Sequence, residues 1–248
     1  MNRVATMNGV AAIGVPSAAP IAVYYGSNQL DQLARYRRVV LQPDAYPPAD
    51  LAELRQRGTE PLGQLSLSED YGPPAAWHRD RSNPDWGGVY VHVDHPDWVE
   101  HVVDRARSIM AQGFAGLFLN SLNVELTFPE DVPHLLMLVA AVREAVGTGY
   151  LLANRGFGLL PRLSELVDGV LFESFSVRWL AGGYAAWPPE VLEVHAAIAE
   201  QLLTYDLDLY ALDYADAADS LGLADFAVRR AGLFCLHSFV SDRSLSRV

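Results

Sequence analysis

Residues 113–120 read GFAGLFLN, a short apolar run that opens on a glycine and ends on an amide side chain. Segments with a helical spacing of apolar residues flank it at 96–112 and 130–146. Gly113 and Gly147 stand where those two helices would stop. A buried strand between two helices is the repeating unit of a parallel sheet, so this stretch predicts a β/α architecture.

The same alternation runs outward along the chain. We predict strands over 20–25, 38–42, 61–67, 115–119, 149–153, 168–172, 208–212 and 232–236. The predicted helical stretches are 28–36, 48–57, 96–112, 130–146, 158–166, 188–203 and 220–230. An open dinucleotide-binding sheet would need a glycine-rich first turn, which Gly26-Ser27-Asn28 does not supply. We therefore predict an α/β protein, a single (β/α)8 TIM barrel over 20–248, with 1–19 as a flexible extension or weak signal segment.

The composition excludes several classes of function. A net charge of −12 argues against nucleic acid and anionic membranes as partners. The chain has no lysine, which excludes lysine Schiff-base enzymes and P-loop phosphate sites. No apolar run reaches the roughly 20 residues that a membrane span requires. The one cysteine, Cys235, allows no internal disulfide, and its place in the predicted last strand suggests a buried, inert thiol.

The longest irregular segment, 69–95, lies between the third and fourth predicted strands. Loops of this length inside a compact domain are usually functional. Its aromatic rings either stack on sugar faces or form a small core beneath the loop, and the sequence favours neither. Residues 89–93 are predicted to add a short strand. The aromatic residues concerned are Tyr71, Trp77, Trp86 and Tyr90.

Polar side chains follow nearly every predicted strand. In barrels of this kind the active site is built at the carboxyl ends of the strands, so these side chains should share one mouth. They are Tyr25, Asp44, Ser68, Glu69, Asn120, Asn123, Asn154, Arg155, Glu173, Asp213, Tyr214, His237 and Ser238.

Paired carboxyl groups across a sugar are the usual means of glycoside hydrolysis, one as acid and the other as nucleophile or base. Glu173 is the candidate acid, because the apolar run 169–172 before it would disfavour the charged form. The partner stays open among Glu69, Asp44 and Asp213.

Other interpretations of these residues are weaker. Arg155 or Arg178 would make a carboxylate structural if either one paired with it. His92, Asp94 and His95 lie close enough for a metal site, but Asp94 or His95 is better placed to cap the helix that begins at 96. No G-x-S-x-G elbow supports a serine triad.

Eight short pieces, in order along the chain, carry a resemblance to a known family. They are Val23-Tyr24-Tyr25-Gly26, Val40-Leu41-Gln42-Pro43-Asp44, Leu65-Ser66-Leu67-Ser68-Glu69, residues 113–120, Asn154-Arg155-Gly156-Phe157, residues 167–173, Leu212-Asp213-Tyr214-Ala215 and residues 240–245. Together they resemble glycoside hydrolase family 114, the endo-α-1,4-polygalactosaminidase group, and its bacterial relatives related to spherulin 4.

The resemblance implies a barrel that cleaves galactosamine-containing polymers, with Glu173 as one of two catalytic carboxyl groups. The family's other carboxylate is the last residue of a G-F-D-G-x-F-L-D pattern. Here that position is Asn120, and Ala115 replaces the earlier aspartate. Either Glu69 or Asp213 fills the second role, or Asn120 orients a 2-acetamido group of the substrate, or the protein binds sugar without cleaving it.

The sequence thus predicts a glycosidase that acts on an amino-sugar polymer or oligosaccharide, with an impaired, carbohydrate-binding barrel as the alternative. The expected partner is a carbohydrate, and neither a cofactor nor a metal is expected. The start of the chain suits a cytoplasmic or an exported protein. The predicted catalytic centre is Glu173, Asn120 and Glu69, with sugar subsites lined by Tyr25, Asp44, Asn123, Asn154, Asp213 and Tyr214.

Overall fold

The computed structural model describes residues 19–180, 182–216, 218–219 and 221–241. Its main element is an eight-stranded parallel sheet, and the last strand returns to pack beside the first in a nearly closed barrel. The barrel strands, in spatial order, are β1 (Ala19–Tyr24), β2 (Tyr36–Leu41), β3 (Glu60–Ser66), β7 (Gly116–Asn120), β8 (Tyr150–Asn154), β9 (Gly169–Glu173), β12 (Asp208–Tyr214) and β13 (His237–Ser241). The predicted α/β TIM barrel is therefore confirmed.

Helices on the outside of the barrel cover strands that are apolar on both faces, as parallel sheets require. Prolines open most of them and glycines follow several, where each residue is best tolerated. The helices are α1 (Leu30–Leu33), α2 (Pro48–Gln56), α3 (Pro96–Ala111), α4 (Val132–Val146), α5 (Pro189–Leu202) and α6 (Leu223–Leu233). No helix of the described ranges is both long and apolar enough to cross a bilayer.

The parallel register brings the carboxyl ends of neighbouring strands to one level. Ser66 of β3 lies opposite Asn120 of β7, and Leu212 of β12 lies opposite Glu173 of β9. The mouth of the barrel is therefore assembled from residues that are far apart in the sequence.

An arginine closes the opposite end of the barrel. Arg38 of β2 is 4% exposed, and its guanidinium contacts Glu60 at 2.8 Å and Asp208 at 2.7 Å. The same group donates to the Tyr210 hydroxyl at 2.5 Å and lies 3.8 Å from the centre of the Tyr150 ring. Such a buried charge is tolerated because several partners replace the water it has lost.

The predicted last strand, 232–236, is wrong. Helix α6 runs on to Leu233 because Leu223, Ala227 and Ala231 bury one of its faces, and the strand begins only at His237. Cys235 lies in the turn between them, with φ of 55° and an exposed side chain, and is not a buried strand thiol. His237 and Ser238 therefore open the strand, at the end of the barrel opposite the mouth.

Other differences from the predicted elements are smaller. The stretch 158–166 forms two short 3-10 turns, Phe157–Leu159 and Arg162–Glu165, and not an α-helix. Of the predicted helix 28–36 only the single turn α1 forms. Residues 1–18 of the predicted N-terminal extension and residues 242–245 of the family-like pieces lie outside the described residues.

Two small antiparallel sheets lie beside the mouth of the barrel. The 69–95 segment forms a three-stranded antiparallel sheet from β4 (Glu69–Asp70), β5 (His78–Ser82) and β6 (Val89–Val91), which confirms the strand predicted near 89–93. A hairpin follows β9 and consists of β10 (Val177–Leu180) and β11 (Gly183–Ala186).

Candidate functional site

The side chain of Glu173 lies at the mouth, at the last position of β9. Its Oε1 accepts a hydrogen bond from the Tyr214 hydroxyl at 2.6 Å, and its Oε2 accepts one from Asn154 Nδ2 at 2.7 Å. Among the described residues, no arginine forms an ion pair with this carboxyl group. Both oxygens are thus oriented by neutral donors and not by a cation.

Asn154 joins Glu173 to Asn120. Its Nδ2 also donates to Asn120 Oδ1 at 3.0 Å, so one amide nitrogen bridges the two neighbouring strand ends. Asn120 Oδ1 additionally accepts from the backbone N–H of Ser121 at 2.9 Å. With its oxygen occupied twice, Asn120 presents its NH2 group as the side that can reach a ligand.

Tyrosines surround Glu173. The hydroxyl of Tyr214 is buried beside the carboxylate, and burial together with that negative charge raises its pKa well above the usual range. Tyr25, which is 48% exposed, lies near both Glu173 and Tyr71. Tyr184 of β11 stacks on Tyr214 with ring centres 5.8 Å apart and planes within 12°. The Tyr214 hydroxyl is therefore a donor to Glu173, and the rings of Tyr184 and Tyr214 offer flat apolar surfaces.

The turn after Glu173 is held by the half-buried side chains of Arg155 and Trp187 and by the buried side chain of His195. Arg155 donates to the Glu173 carbonyl at 3.0 Å, and Trp187 Nε1 donates to the Ser174 carbonyl at 2.8 Å. His195 Nδ1 lies 2.9 Å from the Phe175 carbonyl. Ser174 has φ of 55°, a backbone conformation that costs energy and persists only where such contacts fix it.

Asp213 belongs to this support and not to the cavity. Its side chain is fully buried, and its Oδ1 accepts from the backbone N–H groups of Ser176 at 2.7 Å and Val177 at 2.8 Å. Burial raises its pKa to about 6, although those N–H groups and Arg230 favour the charged form. The structure therefore corrects the prediction that Asp213 lines a sugar subsite, since a fully covered carboxyl group contacts no ligand.

Glu69 anchors the three-stranded sheet. It is 8% exposed, with Asn83 Nδ2 donating to its Oε1 at 3.0 Å and the Tyr71 hydroxyl donating to its Oε2 at 3.1 Å. Tyr71 in turn lies near Tyr25. Glu69 therefore belongs to the same rim as Glu173, but both of its oxygens are engaged in holding the loop.

Two further predicted residues have structural contacts. Asp44 is exposed and pairs with Arg105 of α3 at 2.9 Å, so it lies outside the Glu173 network. Asn123 Oδ1 accepts from the backbone N–H of Gly156 at 3.2 Å and links the loops after β7 and β8. Neither side chain contacts Glu173 directly.

Some aromatic rings of the 69–95 segment form a small core beneath the loop, and others are exposed enough to stack on a sugar. Trp77 packs into the core against Trp98 and stacks on His101 with ring centres 5.6 Å apart. Tyr90 packs edge-on against Phe128 at 5.3 Å. Tyr71 and Trp86, by contrast, are 63% and 71% exposed and are the two rings of this loop that a ligand can reach.

The proposed metal cluster does not form. His95 caps α3 by accepting from the backbone N–H of Asp97 at 3.3 Å, as the sequence predicted for this position. Within the described ranges, no group of three or more His, Cys, Asp or Glu side chains could hold a metal ion.

Sequence reasoning missed the residues that support the site from behind. Trp187, His195 and Arg230 come from the hairpin end and from helices α5 and α6, and Tyr184 lies on the hairpin. None of them follows a barrel strand, so a search of strand ends could not find them. The one available signal was His195, a single histidine on the apolar face of a predicted helix.

Comparison with known proteins agrees with this architecture. The glycoside hydrolase domain of PelA from Pseudomonas aeruginosa is 26% identical and superposes with a TM-score of 0.82, covering 93% of this chain and 97% of that domain. Ega3 of Aspergillus fumigatus, solved in complex with galactosamine, has the same fold at 12% identity, with a TM-score of 0.69 and coverage of 96% and 97%.

Sequence comparison alone matches a much smaller part of the chain. An uncharacterised protein of Methanocaldococcus jannaschii is 29% identical over 90 residues, which are 32% of this chain and 26% of that protein. The match thus takes in about a quarter of that relative's length. No family model matches the chain. The structural match over nearly all of both chains nevertheless supports the predicted resemblance, and the chain is similar to a glycoside hydrolase domain with the (β/α)8 barrel fold.

Proposed function

We propose that this protein is a glycosidase that cleaves an amino-sugar polymer or oligosaccharide of the galactosamine type, with Glu173 as its acid and base. The observation that carries the proposal is the Glu173 carboxyl group at the mouth, held by Asn154 and Tyr214 and not paired with any arginine of the described ranges. The 20–248 barrel would be the catalytic unit.

In this mechanism the protonated Glu173 gives its proton to the glycosidic oxygen as the bond to the anomeric carbon breaks. The leaving sugar departs as an alcohol, and Glu173 becomes a carboxylate. The Tyr214 hydroxyl and the Asn154 amide donate to that carboxylate at 2.6 and 2.7 Å and so stabilise it. Glu173 then takes a proton from the water that completes hydrolysis.

The second carboxylate is the open part of the mechanism. Asp213 is buried, and Glu69 is engaged at both oxygens, so neither is well placed to attack an anomeric carbon. We propose that Asn120 uses its NH2 group to bind the 2-acetamido group of the substrate. Where the leaving oxygen lies on the opposite face of the sugar ring, as in a β-linkage, the carbonyl oxygen of that group can then act as nucleophile. This route must retain the anomeric configuration, so an inverted product, observed by NMR during hydrolysis, would exclude it.

The substrate class is supported by the comparisons and by charge. The chain resembles a glycoside hydrolase domain over its described length, and a second protein of the same fold binds galactosamine. A net charge of −12 is also suited to a polymer with free amino groups. The hydrolysis experiment described next tests which sugar and linkage the protein cleaves.

The test is hydrolysis of partly deacetylated α-1,4-linked galactosamine oligomers, followed by mass spectrometry. We expect products with the wild type and a loss of at least about a thousandfold in rate with Glu173→Gln, which keeps the shape but cannot transfer the proton. Glu193→Gln, on the exposed face of α5, is the matched control and should keep the wild-type rate. Equal rates for Glu173→Gln and the wild type would refute the assignment.

One observation favours a second candidate, a barrel that binds sugar without cleaving it. Asn120 stands where the resembled family has a carboxylate. An aspartate at this position would still accept the hydrogen bonds from Ser121 and Asn154 with one oxygen, and its other oxygen would replace the NH2 group. If Asn120→Asp hydrolyses the oligomers and the wild type only binds them, the natural protein is the binding form. Activity in the wild type that falls in Asn120→Asp would instead show that hydrolysis uses the NH2 group of Asn120.

A further inference from the structure

The β10–β11 hairpin presents an exposed tryptophan beside the site. Trp179 is 59% exposed, and its partner across the hairpin is Tyr184. Residues directly opposite each other in an antiparallel pair project to the same face, with Cβ atoms about 5 Å apart. Trp179 and Tyr184 therefore share one face of the hairpin.

That face is continuous with the site. Tyr184 stacks on Tyr214 with ring centres 5.8 Å apart, and the Tyr214 hydroxyl donates to Glu173 at 2.6 Å. A row of three aromatic side chains thus leads outward from the carboxyl group, and Trp179 is its most exposed end. The opposite face of the hairpin turns away, since the Arg178 guanidinium lies 5.5 Å from the centre of the Trp187 ring.

The outer end of this row is too small for a protein interface. Trp179 and Leu180, at 59% and 40% exposed, are the large apolar side chains that the hairpin exposes. A stable protein contact needs about 800 Å² from each partner, much more than two side chains provide. The exposed ring of Trp179 ends a row of aromatic side chains that begins at Glu173. Such a ring is suited to bind a sugar, because the C–H groups of a sugar ring pack on an aromatic face.

We propose that Trp179 forms a remote subsite that binds a further sugar unit of a chain whose scissile bond lies at Glu173. This inference rests on the proposed function and deepens it, because it makes an extended chain, and not a short oligosaccharide, the preferred ligand. Tyr184 and Tyr214 lie between the two points and contact the intervening part of the chain.

The test measures binding and not cleavage, so it does not depend on turnover. Every variant carries Glu173→Gln, and calorimetry gives the Kd of a short and a long α-1,4-linked galactosamine oligomer of the same acetylation. Trp179→Ala should reduce the long-to-short affinity ratio about tenfold. Trp179→Phe should keep most of it, and Trp179→Leu, apolar but not planar, should behave like Trp179→Ala. Leu233→Ala, 80% exposed at the closed end of the barrel, is the control.

Four outcomes would overturn the inference. One is an unchanged ratio in Trp179→Ala, and another is a ratio preserved in Trp179→Leu, which would indicate a simple apolar contact. The third is failure of the long oligomer to bind at all. If light scattering shows a dimer that Trp179→Ala dissociates, the tryptophan serves a second copy of the chain instead. The proposed function fails if the wild type does not hydrolyse the oligomers. The ratio of long to short affinities can still be measured in that case, so the two failures are distinguishable.

Discussion

Replacing Asp213 by asparagine should stabilise the protein at neutral pH and not at acid pH. The Asp213 carboxyl group is fully buried, and burial raises its pKa from 3.8 to about 6. Asparagine keeps the oxygen that accepts from the Ser176 and Val177 N–H groups, but it carries no charge. The substitution therefore removes the cost of a buried charge and leaves the turn after Glu173 attached.

The sign and size follow from proton linkage. Between pH 3.8 and 6 the folded state of the wild type holds a proton on Asp213 that the unfolded state has released. The stability contributed by this group is complete below pH 3.8 and is lost as the pH rises through about 6. A shift of about two units corresponds to about 3 kcal/mol. The free energy of unfolding of Asp213→Asn, minus that of the wild type, should rise by this amount and then level off.

Urea unfolding at a series of pH values measures that difference. Asp206→Asn is the matched control, because Asp206 is exposed in the turn before β12 and its substitution should change stability little at any pH. Asp213→Ala should instead be destabilised by about 1–3 kcal/mol for each buried N–H group that it leaves unpaired. A difference curve for Asp213→Asn that is flat, or that falls with pH, would refute the reasoning.

Three further predictions concern the site, the closed end and the wall of the barrel. Tyr214→Phe removes the 2.6 Å hydrogen bond to Glu173 and should lower kcat at least about tenfold with little change in KM, measured on the galactosamine oligomers. Arg38→Met should cost about 1–3 kcal/mol in urea unfolding, because it leaves the buried Tyr210 hydroxyl without its donor and removes the cation shared by the half-exposed Glu60 and Asp208. Gly116→Ala should cost about 3 kcal/mol in the same assay, since its Cβ would lie 2.0 Å from the Tyr150 carbonyl oxygen.

Each of these has a control and a contrary result. Tyr205→Phe removes a phenol from the far end of the barrel and should leave kcat unchanged, so an equal loss in both tyrosine variants would contradict the role of Tyr214. Arg107→Met, at an exposed ion pair, should cost less than about 1 kcal/mol, and parity with Arg38→Met would contradict the argument from burial. Gly232→Ala has open space around its Cβ and no left-handed backbone, so a crowding penalty is expected only at Gly116, and an equal loss in both variants would contradict the argument.

Much of the fold could be predicted because it depends on local signals. Short apolar runs alternate with helical segments, and seven of the eight barrel strands lie within a few residues of the predicted ranges. The eighth was misplaced because the apolar run 232–236 resembles a strand. Its first part instead completes α6, whose buried face is fixed by packing against the barrel and not by neighbouring residues.

The candidate site was predicted in part. Strand-end position was enough to identify Glu173, Asn120, Asn154 and Tyr214, which the structure joins in one hydrogen-bonded group. It was not enough for Asp213, which follows the same rule yet lies fully buried beneath the turn. Adjacent residues of a strand project to opposite faces, so neighbours such as Asp213 and Tyr214 have different environments.

By itself, then, the amino-acid sequence determined the β/α alternation, the barrel and several of the polar residues at its mouth, because periodicity and strand ends are properties of neighbouring residues. Only the tertiary structure decided which carboxyl group lies at the mouth and which one holds a turn. It alone brought Trp187, His195 and Arg230 behind Glu173 and placed Trp179 at the end of an aromatic row. These relations join residues that are distant in the chain, and packing across the barrel sets them.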